Sequence, residues 1–178
     1  MEIADLARIV DGARLSAFRL ETLPQYVVPQ ETDEFAAWRS GRPVPLPTPK
    51  TSPWLAHVAA RVTNGVRWSR VHILDHPLSD YCRYEIWGYA ANQAAGEQIY
   101  LADRGAHPDL KSLREDFWLV DDAMVVRMIY DPQGRFERPE LIEDVRPYIV
   151  MRDTAFRHAE PLDEYVARHG LEFTARSV

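Results

Sequence analysis

Apolar positions change their period several times along this chain, and each change predicts an element. Ile3, Leu6, Ile9 and Val10 recur at helical spacing over residues 2–10 and stop near Gly12. Ser16 to Glu21 alternates, which predicts a strand, and Tyr26-Val27-Val28 predicts a second extended segment ended by Pro29. Residues 31–40 open on Glu31, Asp33 and Glu34 and contain Phe35 and Trp38, a short helix with its acids at the positive end of the dipole. Pro43, Pro45, Pro47 and Pro49 alternate, which forbids a helix and predicts a rigid, extended surface connector. Ser52-Pro53 predicts an N-cap with proline in the first helical position, opening a helix that closes near Asn64-Gly65.

The next stretch reads as a βαβ-like module. Val71, Ile73 and Leu74 mark a strand, residues 79–95 a long helix capped by Ser79 or Asp80 and closed by Gly96, and Ile99 to Leu101 the following strand. A polar loop over 103–115 leads to two apolar strands, Phe117 to Val120 and Met124 to Tyr130, joined at Asp121-Asp122-Ala123 as a hairpin. Asp131-Pro132-Gln133-Gly134 predicts a turn, Arg135 to Glu137 a short return strand, and two helical regions cover roughly 141–159 and 162–169. The expected fold is therefore α/β, a central mixed sheet built from a βαβ unit plus a hairpin and flanked by helices. Residues 1–50 form an N-terminal helix and extended part with the proline-rich connector, residues 51–178 the main body, the two making one compact unit.

Length and composition narrow the class. A chain of 178 residues with 46% hydrophobic residues has enough core to fold as one domain without disulfide staples. Its single cysteine, Cys82, forms no internal disulfide and suits a cytoplasmic setting. Residues 1–12 carry acids and no apolar core of a signal peptide, and no apolar run reaches 18 residues, so no membrane partner is expected. The net charge of -6 disfavours direct nucleic-acid binding, although Arg61, Arg67 and Arg70 form a candidate local patch. Of the 21 lysines and arginines only Lys50 and Lys111 are lysines, a skew attributable largely to codon bias.

Candidate chemistry is sparse. Nucleotide-binding glycine motifs, CxxC, HExxH and GxSxG are all absent from the sequence, and neither cofactor nor metal is expected. His72 and His76 stand four apart across a strand end and read as a solvated or hydrogen-bonded pair. The 79–95 helix is the most aromatic and polar element: Tyr81, Glu85, Trp87, Tyr89 and Asn92 are its candidate ligand-binding residues, forming one wall of a pocket. Gly88 costs this helix about 1 kcal/mol relative to alanine, which points to a backbone or a ligand packed close to it. Asp121 and Asp122 are candidates at a strand end, or simply turn residues. Arg127 interrupts the apolar run Val125 to Ile129 and must reach solvent, an anionic ligand, or an acid such as Asp116, Asp121 or Glu85.

Several blocks together carry a resemblance. Phe18-Arg19-Leu20-Glu21 with Tyr26-Val27-Val28-Pro29, Arg70-Val71-His72 with Pro77-Leu78-Ser79-Asp80-Tyr81, and Gly96-Glu97 resemble an actinobacterial family of unknown function. So do Phe117-Trp118-Leu119-Val120-Asp121-Asp122 and Val125 to Asp131 with Gly134-Arg135-Phe136, the likeness running from about residue 16 to 165. Members of that family are often encoded beside helix-turn-helix regulators, which implies a regulatory or accessory role. The element order is also similar to half of a phospholipase-D-like domain, whose motif is HxKxxxxD. Placing its Asp on Asp121 puts Arg114 at the histidine and Asp116 at the lysine; placing it on Asp122 puts Glu115 and Phe117 there. The resemblance thus implies a non-catalytic relative, like the ligand-sensing phospholipase-D-like domains of some regulators. The expected function is non-catalytic binding of a regulator protein or a small molecule; the alternative is a small pathway enzyme with a carboxylate acid/base.

Overall fold

The computed structural model of this chain describes residues 1–171. One seven-stranded mixed sheet organises it. β1 (Ser16–Glu21), β2 (Arg67–Leu74) and β3 (Gln98–Asp103) run parallel. β4 (Asp116–Val120), β5 (Met124–Tyr130) and β6 (Phe136–Ile142) form an antiparallel meander on the other side of β1, and β7 (Glu160–Pro161) is a short edge beside β3. The order is β6-β5-β4-β1-β2-β3-β7. Parallel neighbours need crossovers. The first carries α2 (Thr32–Arg39) and α3 (Pro53–Thr63), the second α4 (Asp80–Ala94). The segment 1–50 and the body 51–178 share this sheet, because β1 pairs with both β2 and β4 at its centre.

Helices cover both faces. α5 (Arg146–His158) packs Tyr148 and Ala155 on Phe18, Leu20, Val71, Ile73, Phe117 and Leu119. On the opposite face, Ala17, Trp68, Trp118 and Val120 meet Val10 of α1 (Ile3–Asp11), Leu55 and Val58 of α3, and Ala91 of α4. α6 (Leu162–His169) closes the β3 edge with Leu162 and Tyr165. A strand covered on both sides has no solvent face for its polar positions. Arg19, Glu21, His72 and Asp116 are consequently buried between sheet and helices.

The local signals act as their chemistry requires. The Ser52 and Ser79 hydroxyls accept from the Leu55 and Cys82 amides at 3.3 and 2.9 Å, capping α3 and α4. Asp121 and Asp122 both have φ of 53°, the left-handed pair of a primed turn closed by the Ala123 amide donating to the Val120 carbonyl, within a three-residue connection to Met124. Gly134 has φ of +80°, and a Cβ there would stand 2.3 Å from the Gln25 carbonyl oxygen, so the turn docks on that loop through glycine alone.

Three expectations change. Tyr26 to Val28 is no strand: it makes a single bridge, Val27 to Arg135, while the Tyr26 ring turns inward. β6 runs on to Ile142 through Pro139, tolerated because β6 is an edge strand, and the following helix starts only at Arg146. The 103–115 loop contains two 3₁₀ turns and is held down by buried Arg104, which donates to Asp75 and to the Thr22, Leu110 and Leu113 carbonyls. Among the described residues no helix is long and apolar enough to cross a membrane.

Candidate functional site

A cavity of about 610 Å³ opens along α4. Tyr81, Tyr84, Glu85, Trp87, Gly88, Tyr89 and Asn92 form its α4 wall. Glu21 at the end of β1 and Arg70 of β2 form the floor; Glu31 and Glu34 stand on the α2 side; Pro47, Pro53 and Trp54 close the connector side. Aromatic packing holds the walls together. Phe35 of α2 lies 5.4 and 5.2 Å from the Tyr81 and Tyr84 rings, Trp38 meets Tyr84 edge-on at 5.8 Å, and Tyr84 stacks on Trp87 at 5.7 Å. The phenols then reach across: Tyr81 donates to Glu31 at 2.8 Å and Tyr84 to Glu34 at 2.6 Å.

Beneath the cavity lies a layer of buried charge. Register places Arg19 beside Arg70 and Glu21 beside His72. Arg70 donates to Glu21 at 2.9 Å and to Glu97 at 3.0 Å, and its guanidinium lies 5.2 Å from the Tyr89 ring centre. Asn92 donates to Glu97 at 2.6 Å. Arg19 donates to Asp116 at 3.0 Å, and Asp116 also accepts from the Thr22 amide, the Thr22 hydroxyl and the Tyr26 phenol. Burial would raise the Glu21 carboxyl, but Arg70 and Arg19 outweigh it and bring it down to about 2. Burial pushes His72 below its ordinary value. Its Nε2 faces only the Leu23 carbonyl, so the neutral ring keeps its proton there, leaving Nδ1 2.8 Å from the Tyr89 phenol. That phenol also stands 2.9 Å from Glu21.

Glu85 is the exception in this layer. Its Oε2 is buried without a hydrogen-bond partner, 3.8 Å from His72 Nδ1, and its side chain is only 12% exposed. Burial first, and the Glu21 charge second, push its carboxyl well above the usual range.

The sequence candidates divide cleanly. Tyr81, Glu85, Trp87, Tyr89 and Asn92 share the cavity. Asp121 accepts from the Arg14, Leu15 and Ser16 amides at 2.9, 2.7 and 2.8 Å, tying the hairpin to the start of β1. Asp122 pairs with Arg152. Arg127 pairs with Glu115 and with its cross-strand neighbour Glu140, not with Asp116, Asp121 or Glu85, because alternation turns it to the other face of the sheet. Of the two expectations for Gly88, the close backbone is not met: a Cβ there meets nothing within 4 Å, so the glycine leaves space on the cavity side. The Arg61, Arg67 and Arg70 patch dissolves, since Arg70 is buried between carboxylates and Arg61 donates to the Ala13 carbonyl. His76 leaves His72 for Asp103, at 2.7 Å, and stacks on His169.

Sequence reasoning passed over Glu21, Arg70, Glu31, Glu34 and Trp54. No local signal marked Glu21 and Arg70 as floor residues, because the helices packed on the second face of the sheet, and not their sequence neighbours, cover them. Among the described residues three groupings bring potential metal ligands within 4.8 Å of one another: His72, Cys82 and Glu85; His76, Asp103 and His169; and His107, Asp109 and His158. In the first, burial holds the Cys82 thiol up to about 12, away from the thiolate that binds a soft metal. In the second, Asp103 already accepts from Tyr165 at 2.6 Å.

The family model described as a domain of unknown function, DUF6879, matches residues 4–167. The chain belongs to this family. No curated protein matches significantly. Among solved structures the fold is similar to Nuc, a phospholipase D family member from Salmonella typhimurium, with a TM-score of 0.52 at 9% identity over 89% of this chain and 88% of Nuc. The family member is thus an α/β domain with the fold of Nuc. TrmBL2, an archaeal chromatin protein, matches at a TM-score of 0.45 and 12% identity over 88% of this chain and 49% of its own.

Proposed function

We propose that this DUF6879 protein is a non-catalytic binding protein, regulatory or accessory in role, whose α4 cavity takes a small molecule and passes its occupancy to a regulator partner. The observation that carries this reading is a volume of about 610 Å³ lined by Glu85, which has a buried carboxyl oxygen without a partner among the described residues, beside the open space at Gly88. A volume of roughly 300–1,000 Å³ with aromatic walls and few polar anchors is that of a ligand pocket. Support also comes from the phospholipase-D-like motif positions. Arg114 is exposed at the nucleophile's place, and Asp116, at the lysine's place, is locked by four hydrogen bonds.

A second reading, an enzyme with a carboxylate acid/base, has one observation in its favour: the raised Glu85 carboxyl beside His72 suits a proton donor. Asp121 and Asp122 take no part in it, being engaged at the hairpin. Equilibrium dialysis of the protein against a soluble metabolite extract, followed by mass spectrometry, separates the two. Binding predicts a compound concentrated on the protein side and recovered chemically unchanged. Time-dependent conversion of that compound would establish the enzyme instead, and no retained compound would contradict both.

A further inference from the structure

We infer that the cavity is selective for a small organic cation, an ammonium group seated against Glu85 with its carbon frame on the aromatic walls. This rests on the ligand-binding reading above and adds the chemical class. The charge balance of the lining points that way: Glu21, Glu31, Glu34 and Glu85 face a single cation, Arg70. That cation is fully engaged, held between Glu21 and Glu97.

Several donors are engaged as well. Tyr81 and Tyr84 point at Glu31 and Glu34, Asn92 points at Glu97, and the Tyr89 proton lies between Glu21 and His72. Gln30, Ser52 and the indoles of Trp54 and Trp87 are the remaining polar side chains of the wall, and none of them is charged. An incoming anion would meet carboxylates with no free cation to answer it. An ammonium group brings donors and positive charge to the Glu85 side chain, which lines the cavity and makes no hydrogen bond among the described residues.

The walls suit the rest of such a ligand. Tyr84 and Trp87 form a stacked pair, and Trp54 stands on the connector side. Aromatic faces attract cations, and Arg70 over the Tyr89 ring already makes that contact within the site. Burial raises Glu31 and Glu85, and neighbouring carboxylates add to the rise; the same positive charge relieves that repulsion.

The test is calorimetric titration at pH 8, up to millimolar concentration, with three probes of one shape: 2-phenylethylamine, 2-phenylethanol and 3-phenylpropionate. The expected result is that the amine binds at least about tenfold more tightly than either other probe, and that Glu85→Gln removes this preference by a similar factor. Gly88→Leu, which projects a side chain into the space beside Glu85 without changing the charge, should weaken binding of all three. Equal or tighter binding of the alcohol or the carboxylate overturns the cation and leaves the cavity standing. So does failure of all three when the dialysis retains a compound. Failure of both experiments overturns the two readings together. A Glu85→Gln protein that keeps the full amine preference removes Glu85 from the account even though the pocket binds.

Discussion

At the scale of single residues, the buried charges differ in how completely they are answered. Glu21 is held by two arginines and stays ionised, whereas Glu85 has neither a donor nor a cation. The difference has a definite sign with pH. Glu85 has a folded value raised above its ordinary 4.5, so the stability of the neutral acid is present below pH 4.5 and is lost as pH rises towards the folded value. Glu85→Gln carries no such loss. Urea unfolding should show the variant close to the parent at pH 4 and more stable by about 1–3 kcal/mol at pH 8. A variant less stable at pH 8 would mean that the ionised carboxylate is wanted where it is. Arg127 makes the contrasting case. Its side chain is 31% exposed and its partners are surface glutamates, so Arg127→Ala should cost under about 1 kcal/mol in urea unfolding and leave ligand retention unchanged. A larger cost, or lost retention, would restore the arginine to the site.

At the scale of elements, the hairpin and α4 show what the sequence could and could not convey. Asp121 reads as a turn residue, and in the structure it is one, but it also collects three amides from a loop more than a hundred residues earlier. Asp121→Ala should lower stability by roughly 1–2 kcal/mol after allowance for its partial exposure, measured in urea, without affecting ligand retention. An unchanged midpoint would deny the tie between hairpin and β1. Periodicity located the strand pairs, α3 and α4 because caps, glycines and apolar spacing act within a few residues. It missed the full length of β6, since Phe136 to Ile142 contains a proline and three charges and becomes a strand through its pairing with β5. On α4, Tyr81, Glu85, Gly88 and Asn92 stand at three- and four-residue steps and were legible as one face, and all four line the cavity, with Trp87 and Tyr89 beside them. The floor was not legible. Arg19 and Glu21 alternate with apolar residues as solvent-facing positions do, and only the helices packed on the second face bury them.

At the scale of the whole molecule, the site exists because distant segments converge on one face of the sheet. β1, at the centre, delivers Glu21; the first crossover delivers Glu31, Glu34, Pro47 and Trp54; β2 delivers Arg70; the second crossover delivers α4. The proline-rich connector is therefore part of a wall as well as a link, and its stiffness keeps that side of the cavity open. Retention of a metabolite by the folded protein, compared between the parent and Gly88→Leu, tests this account most directly. Gly88 sits where a Cβ meets nothing within 4 Å, so the variant should fold while its side chain narrows the cavity beside Glu85. The account predicts a compound in the native mass spectrum of the parent after exposure to a soluble metabolite extract, and none in that of the folded variant. Equal retention by both would place the ligand elsewhere, and no retention by the parent would contradict the cavity's proposed role.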